Sequence, residues 1–177
     1  MEILSIIPAR GGSKGIKRKN IKLINEKPLI AYSIEASLNS KYITKTLLSS
    51  EDDEILEIAQ RHGAEILKRP VELAQDETKT APVMLQVVEE LEKNNYKPDY
   101  VVLLQPTSPL RDSNYIDSAM DYYFKKQKAA FAARGGASRP VELWQVRPHG
   151  DNSRAVGYAC AVHTHSHRAF VNAHGRL

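Results

Sequence analysis

A single cysteine, Cys160, stands in the 177 residues, so no intramolecular disulfide can form and a reducing cytoplasm is the expected setting. With no partner in sight to activate it, Cys160 reads as a small buried hydrophobe rather than a nucleophile. No apolar run approaches the roughly 20 residues that span a bilayer. The N-terminus shows no signal-peptide pattern, because Glu2 precedes a short strand-like run. Membrane association is therefore not expected. Two common phosphate-binding fingerprints are also missing. The segment Gly11-Gly12-Ser13-Lys14-Gly15 does not fit G-x-x-x-x-G-K-[ST], and its glycines are wrongly spaced for G-x-G-x-x-G. The formal charge of +4 is modest, and no basic stripe is interleaved with aromatics, so a nucleotide is a more economical anionic ligand than a nucleic acid.

What is present begins at the N-terminus. The apolar run Ile3-Leu4-Ser5-Ile6-Ile7 reads as a buried first strand. It breaks into Pro8-Ala9-Arg10-Gly11-Gly12-Ser13-Lys14-Gly15, followed by Lys17, Arg18, Lys19 and Lys22. Glycine lets backbone N–H groups approach a phosphate, and Arg10 and Lys14 bring positive charge to the same place. Open α/β sheets hold their ligands beyond the carboxyl ends of strands, where this loop falls. Arg10 and Lys14 are therefore the first candidates for catalysis, stabilising charge on a reacting phosphate. Gly11, Gly12 and Ser13 are candidates for cradling it; the Ser13 hydroxyl either donates to phosphate or caps a turn. Lys17 and Arg18 read as partly solvated charge.

Beyond the loop, strand and helix patterns alternate. A helix is predicted from Pro28 to Leu38, a strand over Ile43 to Ser50, a helix opened by Asp52 and Asp53 that runs through Arg61 to a stop at Gly63, and a short strand over Ala64 to Lys68. A polar loop through Asp76 leads to a helix from Thr80 to Asn94, then a strand from Tyr100 to Leu104. Ser113 or Asn114 is placed to cap a last helix that reaches Lys128. Such alternation implies an α/β domain with a mostly parallel sheet and right-handed crossovers. Asp76 and Thr80 read equally as helix-capping residues and as ligand contacts, and Asn20 equally as a turn residue and as a reader of a pyrimidine edge.

Three segments resemble the acylneuraminate cytidylyltransferase (CMP-sialic acid synthetase) family: Ala9-Arg10-Gly11-Gly12-Ser13-Lys14-Gly15 with Lys19-Asn20; Arg69-Pro70-Val71-Glu72-Leu73-Ala74-Gln75-Asp76; and Leu103-Leu104-Gln105-Pro106-Thr107-Ser108-Pro109-Leu110-Arg111. The resemblance implies a three-layer, Rossmann-like nucleotide-diphospho-sugar transferase fold. It also implies transfer of CMP from CTP to a nonulosonic acid of sialic, legionaminic or pseudaminic type, with release of pyrophosphate. Lys19, Asn20, Arg69, Thr80 and Gln105 would then position nucleotide, with Ser108 and Arg111 supporting their loop. Mg²⁺ and a homodimer built through a late segment are implied likewise. Ser49-Ser50-Glu51-Asp52 stands where the family usually has Ser-Thr-Asp, and Glu51 is left without a role. Two alternatives stay open: an inactive CTP-binding relative without metal and sugar sites, and a cytidylyltransferase for another keto-sugar acid.

The composition changes at Lys128. All fourteen lysines lie at or before it, and isoleucine ends at Ile116. At the earlier density roughly five lysines would be expected in a tail of that length. The chain accordingly divides into a nucleotide-binding α/β domain over 1–128 and a compositionally distinct segment over 129–177, for which truncation, divergence or fusion, and a shifted reading frame are the competing explanations. In this segment Val156 to Val162 has the pattern of a strand, and His163, His165 and His167 alternate as a solvated face or a transition-metal site. The resemblance implies a late acidic pair as metal ligands. Only Glu142 and Asp151 lie beyond Lys128, and neither fits, so the metal ligands are unassigned.

Overall fold

The strand Ile3–Pro8 (β1) is central because both of its faces are apolar: Ile3 and Ile7 point to one core, Leu4 and Ile6 to the other, and all four are essentially inaccessible. A computed structural model describes residues 1–13, 15–126 and 142–145, with Lys126 and the last four residues described by backbone alone. In chain order, β1 is followed by a 3₁₀ turn at Lys19–Ile21, the two-residue strands β2 (Leu23–Ile24) and β3 (Lys27–Pro28), and helix α1 (Leu29–Leu38). Then come β4 (Lys45–Ser50), α2 (Asp53–Arg61), β5 (Glu65–Lys68), a second 3₁₀ turn at Val71–Ala74, α3 (Thr80–Lys93), β6 (Tyr100–Leu103), α4 (Ser113–Lys126) and β7 (Glu142–Gln145).

The main sheet has the order β5-β4-β1-β6-β7. The first four strands are mutually parallel, and β7 runs antiparallel to β6, with Tyr100 opposite Gln145 and Leu103 opposite Glu142. Helices α1, α2 and α4 cover one face through Ile30, Ile34, Ile55, Ala59, Ile116 and Met120; α3 covers the other through Met84 and Val87. This is the expected three-layer α/β arrangement with a mostly parallel sheet. Successive strands step from β1 to β4 to β5 on one side, and the chain then returns to place β6 on the other side of β1. A topological switch point therefore lies at the carboxyl ends of β1 and β6.

One polar thread crosses the core beneath the α1 face. Ser5 Oγ lies 2.5 Å from Ser37 Oγ, which lies 2.7 Å from Thr46 Oγ1, so three buried hydroxyls from β1, α1 and β4 satisfy one another.

Several boundaries differ from the expected ones for identifiable reasons. Pro28 lies at the N-cap of α1 rather than inside it, because it closes a hairpin in which Leu23 pairs with Pro28 and Ile24 with Lys27. The hairpin's turn residues Asn25 and Glu26 both have positive φ, 48° and 64°, as a tight two-residue turn requires. Two-residue strands carry no periodicity and so leave no pattern. The last helix is not capped by Ser113 or Asn114: the Asp112 carboxylate accepts the Tyr115 amide at 2.8 Å. β7 lies beyond residue 128 and adds an edge to the sheet that no periodicity marked. The strand expected over 156–162 lies outside the described residues, as do His163, His165, His167 and Cys160.

The capping assignment is testable. Asp112→Ala should cost about 1 kcal/mol of stability in urea unfolding, and Ser113→Ala less than about 0.5 kcal/mol. The reverse ranking would restore Ser113 as the cap.

Candidate active site

At the switch point a cleft of about 360 Å³ opens between the segments that follow β1, β5 and β6. The segment after β1 contributes Arg10, Ser13, Lys19 and Asn20; that after β5 contributes Arg69, Asp76 and Thr80; that after β6 contributes Gln105, Pro106 and Thr107. Seven of the site candidates read from the sequence thus line one cavity although they are spread over 96 positions, from Arg10 to Gln105. Gly11 and Gly12 lie in the same loop without lining the cleft. Lys14 lies outside the described residues.

The loop after β1 is pinned from three sides. Asn20 is buried, and its Nδ2 donates to the Arg10 carbonyl at 2.8 Å. Arg18 adopts the left-handed backbone region (φ 56°, ψ 33°) and donates from Nη1 to Asp52 and from Nη2 to Glu54. Glu51 Oε1 accepts the Gly11 amide at 2.6 Å. The acidic residues belong to the turn from β4 into α2, where Asp52 also caps the helix by accepting the Ile55 amide at 3.2 Å. Cationic loop and acidic helix start are therefore complementary parts of one corner.

Opposite charges meet within the cleft as well. Arg10 Nη1 donates to Asp76 Oδ1 at 2.5 Å, across the mouth of the cavity. Arg69 is buried, and its Nε and Nη2 donate to Glu51 Oε2 at 3.2 and 3.0 Å. Asp76 is thus paired with Arg10, and the N-cap position of α3 is Lys79, with no side chain capping it; of the two readings for Asp76 and Thr80, capping is not the one realised.

Gln105 is held from beneath. Arg111 is 2 % exposed and donates from Nη2 to the Gln105 carbonyl at 3.2 Å and to Ser33 Oγ at 3.1 Å. Burial pulls its guanidinium down to about 10. The Ser108 amide donates to the Gln105 carbonyl at 3.3 Å, and the Arg111 amide to the Ser108 carbonyl at 3.2 Å, so the proline-rich loop folds back on itself as a rigid platform. Ser108 and Arg111 thus contact the Gln105 carbonyl and hold its loop, as a supporting part requires. Glu51, in contrast, had no part, because nothing in its local pattern announces that one carboxylate reaches two separate segments.

Among the described residues there is no group of three or more His, Cys, Asp or Glu side chains placed to hold a metal ion. No helix in them is long and apolar enough to cross a membrane.

The parallel sheet, the cationic glycine loop at the switch point and the convergent polar side chains define an α/β protein with a ligand cleft of the kind open parallel sheets build. The chain belongs to the cytidylyltransferase family, whose model matches residues 4–168. It is 36% identical over 155 residues to the N-acylneuraminate cytidylyltransferase of Escherichia coli O18:K1:H7, an alignment covering 86% of this chain and 35% of that protein. It is 42% identical over 135 residues to the pseudaminic acid cytidylyltransferase of Campylobacter jejuni, covering 75% of this chain and 58% of that protein. The chain therefore spans about a third to three fifths of the length of these curated relatives. Among solved structures, CMP:2-keto-3-deoxy-manno-octonic acid synthetase complexed with CTP superimposes with a TM-score of 0.62 at 17% identity, over 72% of this chain and 49% of that one. 4-Diphosphocytidyl-2C-methyl-D-erythritol synthase does so with a TM-score of 0.56 at 12% identity, over 89% and 69%. These two share the fold.

A Cβ built on Gly11 would lie 3.0 Å from Asp52 Cβ and 3.1 Å from its Cγ, with the carboxylate closer still, whereas one on Gly12 meets nothing within 4 Å. Gly11→Ala should destabilise the chain by about 1–3 kcal/mol and Gly12→Ala by less than about 0.5 kcal/mol, measured by urea unfolding. For Asp52, partial burial opposes ionisation, but hydrogen bonds from Arg18 and the Ile55 amide together with the Arg18 charge outweigh it and hold the carboxyl below its ordinary 3.8. The folded state thus favours the ionised form. Its contribution is present above the unfolded value and is lost as pH falls through the lower folded value. Asp52→Asn should flatten the loss of stability on acidification from about pH 5 downwards; an unchanged slope would show that Asp52 does not titrate with unfolding.

Proposed function

We propose that the chain transfers CMP from CTP to the anomeric hydroxyl of a nonulosonic acid and releases pyrophosphate. The observation that carries this reading is the convergence of Arg10, Ser13, Lys19, Asn20, Arg69, Thr80 and Gln105, from three sequence segments, on one cleft at the switch point. Membership of the cytidylyltransferase family supports the nucleotide, and the relatives named for sialic and pseudaminic acids support the acceptor class. A relative named CMP-N,N'-diacetyllegionaminic acid synthase, 51% identical over 84 residues, 47% of this chain and 36% of that protein, extends the class to legionaminic acid.

In the proposed reaction the sugar hydroxyl attacks the α-phosphorus and gives up its proton to solvent, while the bond to the pyrophosphate oxygen breaks and pyrophosphate leaves. Negative charge grows on the bridging and non-bridging oxygens. Arg10 exchanges its Asp76 partner for phosphate oxygens, and Lys14 and the Ser13 hydroxyl add donors from the same loop. Gly11 and Gly12 allow the close backbone approach. Lys19, Asn20, Arg69, Thr80 and Gln105 hold the nucleotide, with Asn20 Oδ1 facing the base while Nδ2 holds the loop. Mg²⁺, if bound with the triphosphate, would supply positive charge that offsets the phosphates. The described residues do not offer a ligand cluster for it, so no step is assigned to the metal. Residues 1–128 are proposed as the nucleotide-binding domain, with 129–177 a distinct segment; comparing the three reading frames of the coding DNA tests the frame-shift explanation. The lone Cys160 supports a reducing, cytoplasmic setting, and the protein acts on small molecules rather than nucleic acid or membrane, as a homodimer.

Pyrophosphate release is the deciding measurement, with CTP, Mg²⁺ and a panel of sialic, pseudaminic and legionaminic acids. Release should occur with one acid and fall by about 10²–10³-fold in Arg10→Ala. CTP binding without release from any acid would favour instead a binding-only relative.

A further inference from the structure

We propose that Glu51 is a positioning residue that fixes the start of the glycine loop through the Gly11 amide and orients the Arg69 guanidinium for nucleotide, an inference that rests on the nucleotide-binding reading above. The sheet order places it for this task. β4 lies between β5 and β1, so the residue that follows β4 can reach the segments that follow both neighbours. Glu51 does so with its two oxygens: Oε1 accepts the Gly11 amide at 2.6 Å, and Oε2 accepts Arg69 Nε and Nη2 at 3.2 and 3.0 Å.

The pair is largely removed from solvent, with the Arg69 side chain 4% and the Glu51 side chain 15% exposed. The Arg69 backbone is fixed too, because its amide donates to the Ser50 carbonyl at 3.0 Å. With Nε and Nη2 committed to Glu51, the guanidinium cannot swing, and Nη1 makes no hydrogen bond among the described residues while Arg69 lines the cleft. A fork held on one edge by a carboxylate presents its other edge to an incoming anion at low entropic cost. The same carboxylate holds the start of the glycine loop, so one side chain couples two otherwise separate halves of the cleft.

The test is a double-mutant cycle read by calorimetric CTP binding, using Glu51→Gln, Arg69→Ala and the double variant of the full chain, each checked by thermal unfolding. Glu51→Gln keeps the shape and removes the charge. It should weaken CTP binding about 10-fold in the wild-type background and less than about 2-fold in the Arg69→Ala background, since the orientation it supplies no longer matters there. A melting temperature that falls equally in both backgrounds, with additive losses of CTP affinity, would reduce Glu51 to a structural residue and overturn the proposal. Unchanged or tighter binding by Glu51→Gln would overturn it also, marking the carboxylate as a competitor of phosphate. Should Glu51→Gln unfold, Arg69→Lys serves instead: a lysine cannot satisfy Oε2 edge-on, so it should weaken CTP binding about as much as Arg69→Ala, and full retention would overturn the proposal. A wild-type chain that binds no CTP would overturn the nucleotide reading itself; one that binds CTP without turnover would overturn the transferase reading and leave the cycle intact.

Discussion

The architecture of the site depends on attraction between the cationic loop that leaves β1 and the acidic turn that leaves β4. A glycine-rich loop has no structure of its own to impose; its conformational entropy favours spreading. Here Glu51 takes its first amide, Asp52 and Glu54 take Arg18, and Asn20 takes the Arg10 carbonyl. Each carboxylate also has a second partner, which offsets the cost of its partial burial: Asp52 caps α2 and Glu51 receives Arg69. The left-handed backbone at Arg18, unfavourable for a residue with a Cβ, is tolerated because the side chain is so well received.

The sheet supplies the geometry that this corner exploits. Parallel strands deliver their carboxyl ends to one edge, and the reversal between β1 and β6 opens a crevice there. Three chain segments that are remote in sequence meet at that edge. Beneath them the platform of Gln105 to Arg111 is rigid because Arg111, buried against Ser33, grips the carbonyl of the residue it supports. The cleft therefore stands on ordered backbone on both sides of the switch point.

Much of this was legible in the residues themselves. Long apolar runs such as Ile3 to Ile7 and the amphipathic stripe of α2 carry their structure locally, and their positions match to within a few residues. The cationic loop was legible because phosphate binding demands small residues and positive charge together, a rare local combination. What stayed hidden was non-local. Glu51 reads as one more acid at a helix start until β5 and β1 are seen on either side of β4. The Arg10–Asp76 pair joins positions 66 apart. The β2–β3 hairpin is too short to have a period, and β7 is recruited by the exposed edge of β6 rather than by a pattern of its own.

The pairing of Arg10 with Asp76 and of Arg69 with Glu51 has a consequence for selectivity. Neither guanidinium lining the cleft is a bare charge, because each already holds a carboxylate. At Arg10 a chloride or a lone phosphate would offer one contact in exchange for a carboxylate already tethered by the chain, and would gain little. A chain of linked phosphates offers several at once, and each contact raises the local concentration of the next. Under the proposed reaction, such pairing would act as a filter for valency, discriminating by how many anionic groups arrive together rather than by how strongly any one of them is drawn.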